Sequence, residues 1–288
     1  MIRYFKRIEI DDEKYNECIE NSSNSRIYAF SWYLDCVADN WDALVLNDYE
    51  TVMPLPWRQK YFIKYIYPPA WTQQLGVFSS KEIKEELILK FIKAIPKKFK
   101  KTTFQFNSEN KFHYKNLTER VNYILPLNKS YEDIYNGFNS NRKRDLKKAF
   151  RNNFKVNEEV GYKSFLSFYN QVEKNYKLID NQLFALKRLI NNENANFLGV
   201  EINYELVASL LFFKSNKRIT YLLPVATKEA KDFGIPSLLI NYLIEKYQKL
   251  DLILDFEGSM IPNVAVFYRS FGCELEHYNL LEKRIIFL

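Results

Sequence analysis

Asp255 and Glu257 stand two positions apart in LILDFEGS, where an apolar run that reads as a strand comes to its end. Alternate residues of a strand project from one face, so the two carboxylates share one wall of whatever cleft lies beyond it. Such a pair can hold an acceptor amine or take its proton, and mutual repulsion raises one of the two pKa values. The alternative is that one carboxylate caps the following loop while the other pairs with an arginine. Gly258 and Ser259 supply a tight turn and a hydroxyl beside them. A second polar group lies in PPAWTQQLG, where Pro68 and Pro69 force extended backbone. Trp71, Thr72, Gln73 and Gln74, joined by Trp57, Arg58 and Tyr67, suit a pocket wall with a few orienting hydrogen bonds or, equally, a packing loop between domains.

Other chemistries are excluded by what is missing. The chain of 288 residues has only seven glycines, no two closer than fourteen positions. That spacing admits neither GxGxxG nor GxxxxGK[ST], which removes the standard dinucleotide and P-loop sites. His113 and His277 read as ordinary surface or strand residues. With three scattered cysteines and neither CxxC nor HExxH, no metal site and no structural disulfide are expected. Hydrophobic residues at 47% and charged residues at 27% suit a globular protein. The opening MIRYFKRIEIDDEKYNE is charged throughout, and the longest apolar run, residues 206–213, cannot span a bilayer. A cytoplasmic protein without membrane insertion is expected.

The net charge of +7 is a local feature: residues 129–155 hold eight basic and three acidic side chains, a surplus of five. Arg142, Lys143, Arg144, Lys147, Lys148 and Arg151 could meet nucleic-acid phosphates, or they form a solvated helix face. One such patch falls short of the broad basic surface of a dedicated nucleic-acid binder.

Several elements must position these groups. The periodicity of Ile83, Leu87, Phe91 and Ile95 predicts a helix over 80–95, and a further helix is expected over 11–21. Strands are expected at 41–46, 51–56, 102–106 and 122–125. A helix at 131–138 leads into the basic segment. Next come a strand at 156–160, two helices within 162–192, and strands at 197–202, 206–213 and 218–224. A helix over 237–250, a strand at 250–256, a short helix at 264–271 and closing strands at 273–281 and 284–288 complete the chain.

This order of elements resembles the GNAT acyltransferase fold, and particular residues sharpen the likeness. Asn263, Ala265, Phe267, Tyr268, Phe271 and Gly272 resemble the GNAT closing signature, NxxAxxxYxxxGF, with Cys273 in its last place. Residues 254–278 look like the DFEGS signature of the FemAB-like (FemX-like) branch. The stretch 123–152 resembles the junction of that branch, matched by Arg144, Leu146, Lys148 and Ala149, and PPAWTQQLG is similar to a segment of its relatives. The resemblance implies an α+β fold of two tandem GNAT-like domains: a degenerate one over 1–127, a basic helical junction over 128–155, and a domain with the donor site over 156–288.

The resemblance also implies roles. Tyr268 would protonate the leaving group, as a phenol with a pKa near 10 can; as a residue alone, it reads equally as a core tyrosine. KDFGIPS matches the pyrophosphate loop, with Lys231, Gly234, Ile235 and Ser237, and with Asn263 nearby, as donor-binding residues. Pro236 there removes one N–H that a pyrophosphate would use, a departure shared with enzymes that take aminoacyl groups from charged tRNA. Acyl-CoA or aminoacyl-tRNA is therefore expected as a donor co-substrate, with no resident cofactor. The expected reaction is transfer from acyl-CoA to an amine. The alternatives are aminoacyl transfer from tRNA to a peptidoglycan precursor peptide, and a non-catalytic ligand-binding relative. The partner would be a small-molecule or peptide amine acceptor, with tRNA as a further candidate.

Overall fold

A computed structural model describes residues 1–174, 177–258 and 261–284. The chain begins with β1 (Ile2–Lys6), α1 (Asp12–Asn21), α2 (Ser31–Val37), β2 (Asn40–Leu46), β3 (Thr51–Lys60), β4 (Ile63–Ile66) and β5 (Phe78–Ser79). It continues with α3 (Glu85–Ala94), β6 (Phe99–Phe106) and β7 (Leu117–Pro126). The Asp11 carboxylate accepts from the Lys14 amide to cap α1, which buries Tyr15, Cys18 and Ile19. In this first unit β1, β2, β3 and β4 pair antiparallel in order, and β4 pairs parallel with β6. Helix α3 makes the crossover that a parallel pair requires.

The second half comprises α4 (Tyr131–Asn136), α5 (Ser140–Arg151), α6 (Tyr162–Gln171), α7 (Asp180–Ile190), β8 (Asn196–Ile202), β9 (Glu205–Lys214) and β10 (Arg218–Ala226). After these come α8 (Lys228–Asp232), α9 (Ile235–Tyr247), β11 (Ile253–Asp255), α10 (Pro262–Arg269) and β12 (Glu274–Arg284). Strands β8, β9 and β10 form an antiparallel meander, β10 pairs parallel with β11, and β11 pairs antiparallel with residues 124–126 of β7. Helix α9 makes the parallel crossover and buries Leu238, Leu239, Leu243 and Ile244 in the core that holds Leu210, Ile219 and Leu254. Each unit thus has a mostly antiparallel sheet flanked by helices, with one parallel pair. Among the described residues no helix is long and apolar enough to cross a membrane.

The division of the chain differs from boundaries at 127 and 155. The first unit is Met1–Val121 with Phe184–Leu186 and the C-terminal stretch from Glu276; the second is Asn122–Leu183 with Lys187–Leu275. The basic junction belongs to the second unit, through the packing of α5 on α9. The closing strand returns to the first unit because Asn279–Arg284 of β12 pair with β6.

Other local expectations also need correction. Residues 156–160 form no strand, only an isolated bridge between Asn157 and Gly199. Strand β1 and helix α2 have too short a pattern to announce themselves. The strand expected at 284–288 lies outside the described residues beyond Arg284, where β12 ends.

Candidate active site

The two strands of the second unit's parallel pair separate after three residues. Arg218, Ile219 and Thr220 of β10 lie opposite Ile253, Leu254 and Asp255 of β11, after which β11 ends and β10 runs on to Ala226. A register shift against β9 between Tyr221 and Leu223 bends β10 at the same point. The result is a wedge in the sheet. Tyr221, Phe256, Tyr268 and Tyr123 gather there, with the Tyr268 ring centroid 4.9 Å from Phe256, 6.0 Å from Tyr221 and 6.3 Å from Tyr123.

Asp255 sits at the apex and is buried. Its Oδ2 accepts from Arg218 Nη1 at 2.8 Å, and its Oδ1 accepts from Asn122 Nδ2 and from the Glu257 amide, each at 2.9 Å. This one carboxylate therefore does both things the alternative reading divided between two: it pairs with an arginine and caps the turn. Both oxygens of Asp255 are thereby engaged. Glu257 is half-buried and held at φ 53°, a left-handed conformation uncommon for a residue other than glycine. Ser259 lies outside the described residues.

Burial, then the charge of Glu257, then Cys273, pushes the Tyr268 phenol well above its ordinary pKa. It is thus protonated at neutral pH and a weaker acid than a free phenol, able to give its proton only to a strongly basic group such as an alkoxide. Burial likewise raises the Cys273 thiol, with Glu274 adding to it, so no thiolate nucleophile stands here.

The loop before α9 is shaped by Gly234 at φ 75°, where an added Cβ would lie 2.5 Å from the Asp145 carbonyl oxygen. Short helix α8 occupies much of this loop. The amides of Lys231, Phe233, Gly234, Ser237 and Leu238 already donate to Thr227, Glu229, Lys231 and Gly234 carbonyls. Together with Pro236, this leaves few N–H groups for a pyrophosphate. Ile235 and Ser237 are buried, while Lys231 and Asn263 are exposed. A groove of about 1210 Å³ borders the outer side of the same segment, between α6 (Ser164, Ser167), the β8–β9 turn (Tyr204) and α8 (Lys228, Lys231).

Arg142 is the group that sequence reasoning placed in the wrong setting. It does not face solvent with the basic run but is 94% buried, its side chain reaching Ser237 Oγ on α9, Ser270 Oγ after α10 at 3.0 Å and Asp145 at 3.1 Å. The guanidinium also lies 4.3 Å from the Phe267 ring centroid and 4.9 Å from that of Phe271. Position in the sequence carries a signal after the fact: Arg142 lies four and seven residues before the buried Leu146 and Ala149, on their helix face. Arg144, Lys147 and Arg151 remain exposed; Lys148 bonds the Asp232 carbonyl and Lys143 that of Asn136.

Several of the first-unit candidates are tied to near neighbours. The Arg58 guanidinium pairs with Asp39 at 2.7 Å and stacks 4.1 Å from the Tyr67 ring, whose hydroxyl also meets Asp39. The Trp57 ring carries Lys64 at 4.4 Å. In PPAWTQQLG, the Trp71 carbonyl accepts from Tyr33, and Gln74 donates to Gln73 and Glu276 while accepting from the Ser108 amide. Leu75 exchanges backbone bonds with Gln105 and Asn107. The loop thereby runs beside β6 beyond the end of β4, where Leu75 forms a parallel bridge with Phe106, and the space beside Thr72 and Gln73 is about 10 Å³, room for one water. Among the described residues no group of three His, Cys, Asp or Glu side chains could hold a metal.

Solved structures share this arrangement. FemX superposes with a TM-score of 0.65 over 94% of this chain and 96% of its own, at 11% identity. The chain has a FemX-like GNAT fold. L-PGS from Bacillus licheniformis matches this chain with a TM-score of 0.56 at 16% identity, over 95% of this chain and 92% of that one. A tandem GNAT protein from the clavulanic acid biosynthesis pathway gives 0.51 at 10% identity, over 98% of each. No protein-family model and no curated protein matches the sequence.

Proposed function

We propose that this chain is a transferase that moves an acyl or aminoacyl group onto an amine at the wedge between β10 and β11. The observation that carries the reading is the placement of Tyr268 among Tyr123, Tyr221 and Phe256 where β10 and β11 part, with Glu257 at the turn that follows β11. The acceptor amine attacks the donor carbonyl, a new C–N bond forms, and the amine proton passes to Glu257. As the tetrahedral species collapses, the C–O or C–S bond to the donor breaks and Tyr268 gives its proton to the leaving group. The aromatic walls formed by Tyr123, Tyr221 and Phe256 exclude water, which would otherwise hydrolyse the donor.

Between the two donors, the engaged amides from Lys231 to Leu238 favour an aminoacyl ester over coenzyme A, whose pyrophosphate needs free N–H groups at the helix start. The exposed Arg144, Lys147 and Arg151 offer contacts to tRNA phosphate. The acceptor is then an amine on a small molecule or peptide. Transfer is tested with labelled aminoacyl-tRNA and labelled acetyl-CoA against a panel of amine acceptors, peptidoglycan precursor peptides included. Release of free tRNA with label appearing in the acceptor, at a rate lowered about 10²-fold or more by Tyr268→Phe, is the expected result. Equal turnover by Tyr268→Phe defeats the assignment of the proton donor. Thermal stabilisation by acetyl-CoA and not by tRNA reverses the donor assignment.

A further inference from the structure

In the first unit, β3 and β4 are joined by a two-residue turn, Tyr61–Phe62, closed by the pair Lys60 and Ile63. Both turn residues have positive φ, 46° and 63°, the backbone of a type I′ turn, which asparagine and glycine adopt without the strain that aromatic residues incur. The side chains gain nothing from this within the fold: Tyr61 is 83%, Phe62 96% and Ile63 52% exposed. Three consecutive large apolar residues thus crown a convex tip. Cations surround them. Lys60 and Lys64 flank the tip, and Lys97 and Lys98 enter β6, where Phe99 lies opposite Lys64. The Lys98 ammonium is engaged within the fold, with the Tyr4 hydroxyl and with Asp42 at 3.9 Å, which leaves Lys60, Lys64 and Lys97 as the cations on offer at the tip. Residues 57–66 contain no acidic side chain.

We propose that the β3–β4 tip is a contact for an anionic phospholipid surface, with Tyr61, Phe62 and Ile63 entering the interfacial region and the lysines meeting lipid phosphates. Aromatic rings settle at the level of the headgroups, and clustered lysines are drawn to anionic lipid. A convex apolar tip suits this phase better than it suits nucleic acid, which single-strand binders hold in a groove lined with stacking platforms. Peripheral contact of this kind needs no spanning helix. It would bring the protein to a membrane without committing it to a lipid substrate.

The test is co-sedimentation of the full chain with vesicles of equal parts phosphatidylglycerol and phosphatidylcholine, and with vesicles of phosphatidylcholine alone. The anionic vesicles are expected to bind, more weakly as salt rises. Tyr61→Asn/Phe62→Gly is expected to weaken binding at least about tenfold, while its melting temperature does not fall, since Asn-Gly suits this turn. Lys60→Gln/Lys64→Gln is expected to cost about fivefold per lysine on anionic vesicles. Absence of binding, or undiminished binding by the Asn-Gly variant, overturns the proposal. So does wild-type binding to bulk tRNA that the Asn-Gly variant loses, with no binding to either vesicle.

Discussion

Replacing Asp255 with asparagine isolates the role of the apex. The change keeps shape and removes charge, leaving the Arg218 guanidinium buried, its side chain 3% exposed, without its carboxylate. Breaking a buried pair from one side costs about 3–5 kcal/mol, because the remaining charge is desolvated and uncompensated. With a urea m-value of about 2 kcal/mol/M, that loss moves the unfolding midpoint of the second unit down by roughly 2 M. Replacing both partners, Arg218→Met with Asp255→Leu, should restore most of this stability, since an apolar pair of similar volume avoids the desolvation. Activity should not return with it, because the Glu257 amide and Asn122 then lose the oxygen that fixes the turn. The assay is urea denaturation followed by tryptophan fluorescence and circular dichroism, with transferase turnover measured on the same samples. A midpoint shift below about 0.5 M for Asp255→Asn, corresponding to about 1 kcal/mol, refutes the reasoning, because surface-like solvation of the pair would then have to be assumed.

Two further outcomes follow from the same geometry. Gly234→Ala should destabilise by at least about 1–2 kcal/mol from its left-handed backbone alone, with the clash against the Asp145 carbonyl adding to it; a melting temperature equal to wild type contradicts the packing of α5 on this turn. Stability should also fall in alkali, since Tyr268, Tyr221 and Tyr15 have pKa values raised by burial. A raised folded-state value means the folded chain holds these protons longer than the unfolded one, so stability is fully present below the unfolded value of about 10 and is lost as pH rises beyond it. Spectrophotometric titration should show these three phenols ionising only with unfolding; ionisation at pH 10 in the folded protein would contradict it.

The elements that carry the candidate residues were legible where their signals are local. The step from β11 into a turn follows from an apolar run ended by Asp255-Phe256-Glu257-Gly258, and the helices α3 and α9 follow from their apolar spacing. Gly234 and Gly272 stand at positive φ where a side chain has no room, the first against the Asp145 carbonyl and the second against that of Gly137. Arg142 was not legible, because a charge run is read by composition whereas its burial depends on Ser237, Ser270 and Phe271, all nearly a hundred residues or more away. The same holds for PPAWTQQLG. Its prolines announce rigidity, but only Gln105, Asn107 and Glu276 decide where the loop is tied down beside β6.

Local pattern determined most of the order of elements, since periodicity and turn chemistry act over a few residues, while the fold class came from the resemblance of residues 254–278 and 123–152 to the FemAB-like branch. Tertiary structure alone decided that Asp255 is spent on Arg218, that the helix-start amides before α9 are already engaged, that Arg142 turns inward and that the closing strand pairs with β6. Those outcomes depend on which distant groups share a desolvated space, where an unpaired charge or amide is costly, and no local pattern encodes the identity of the partner.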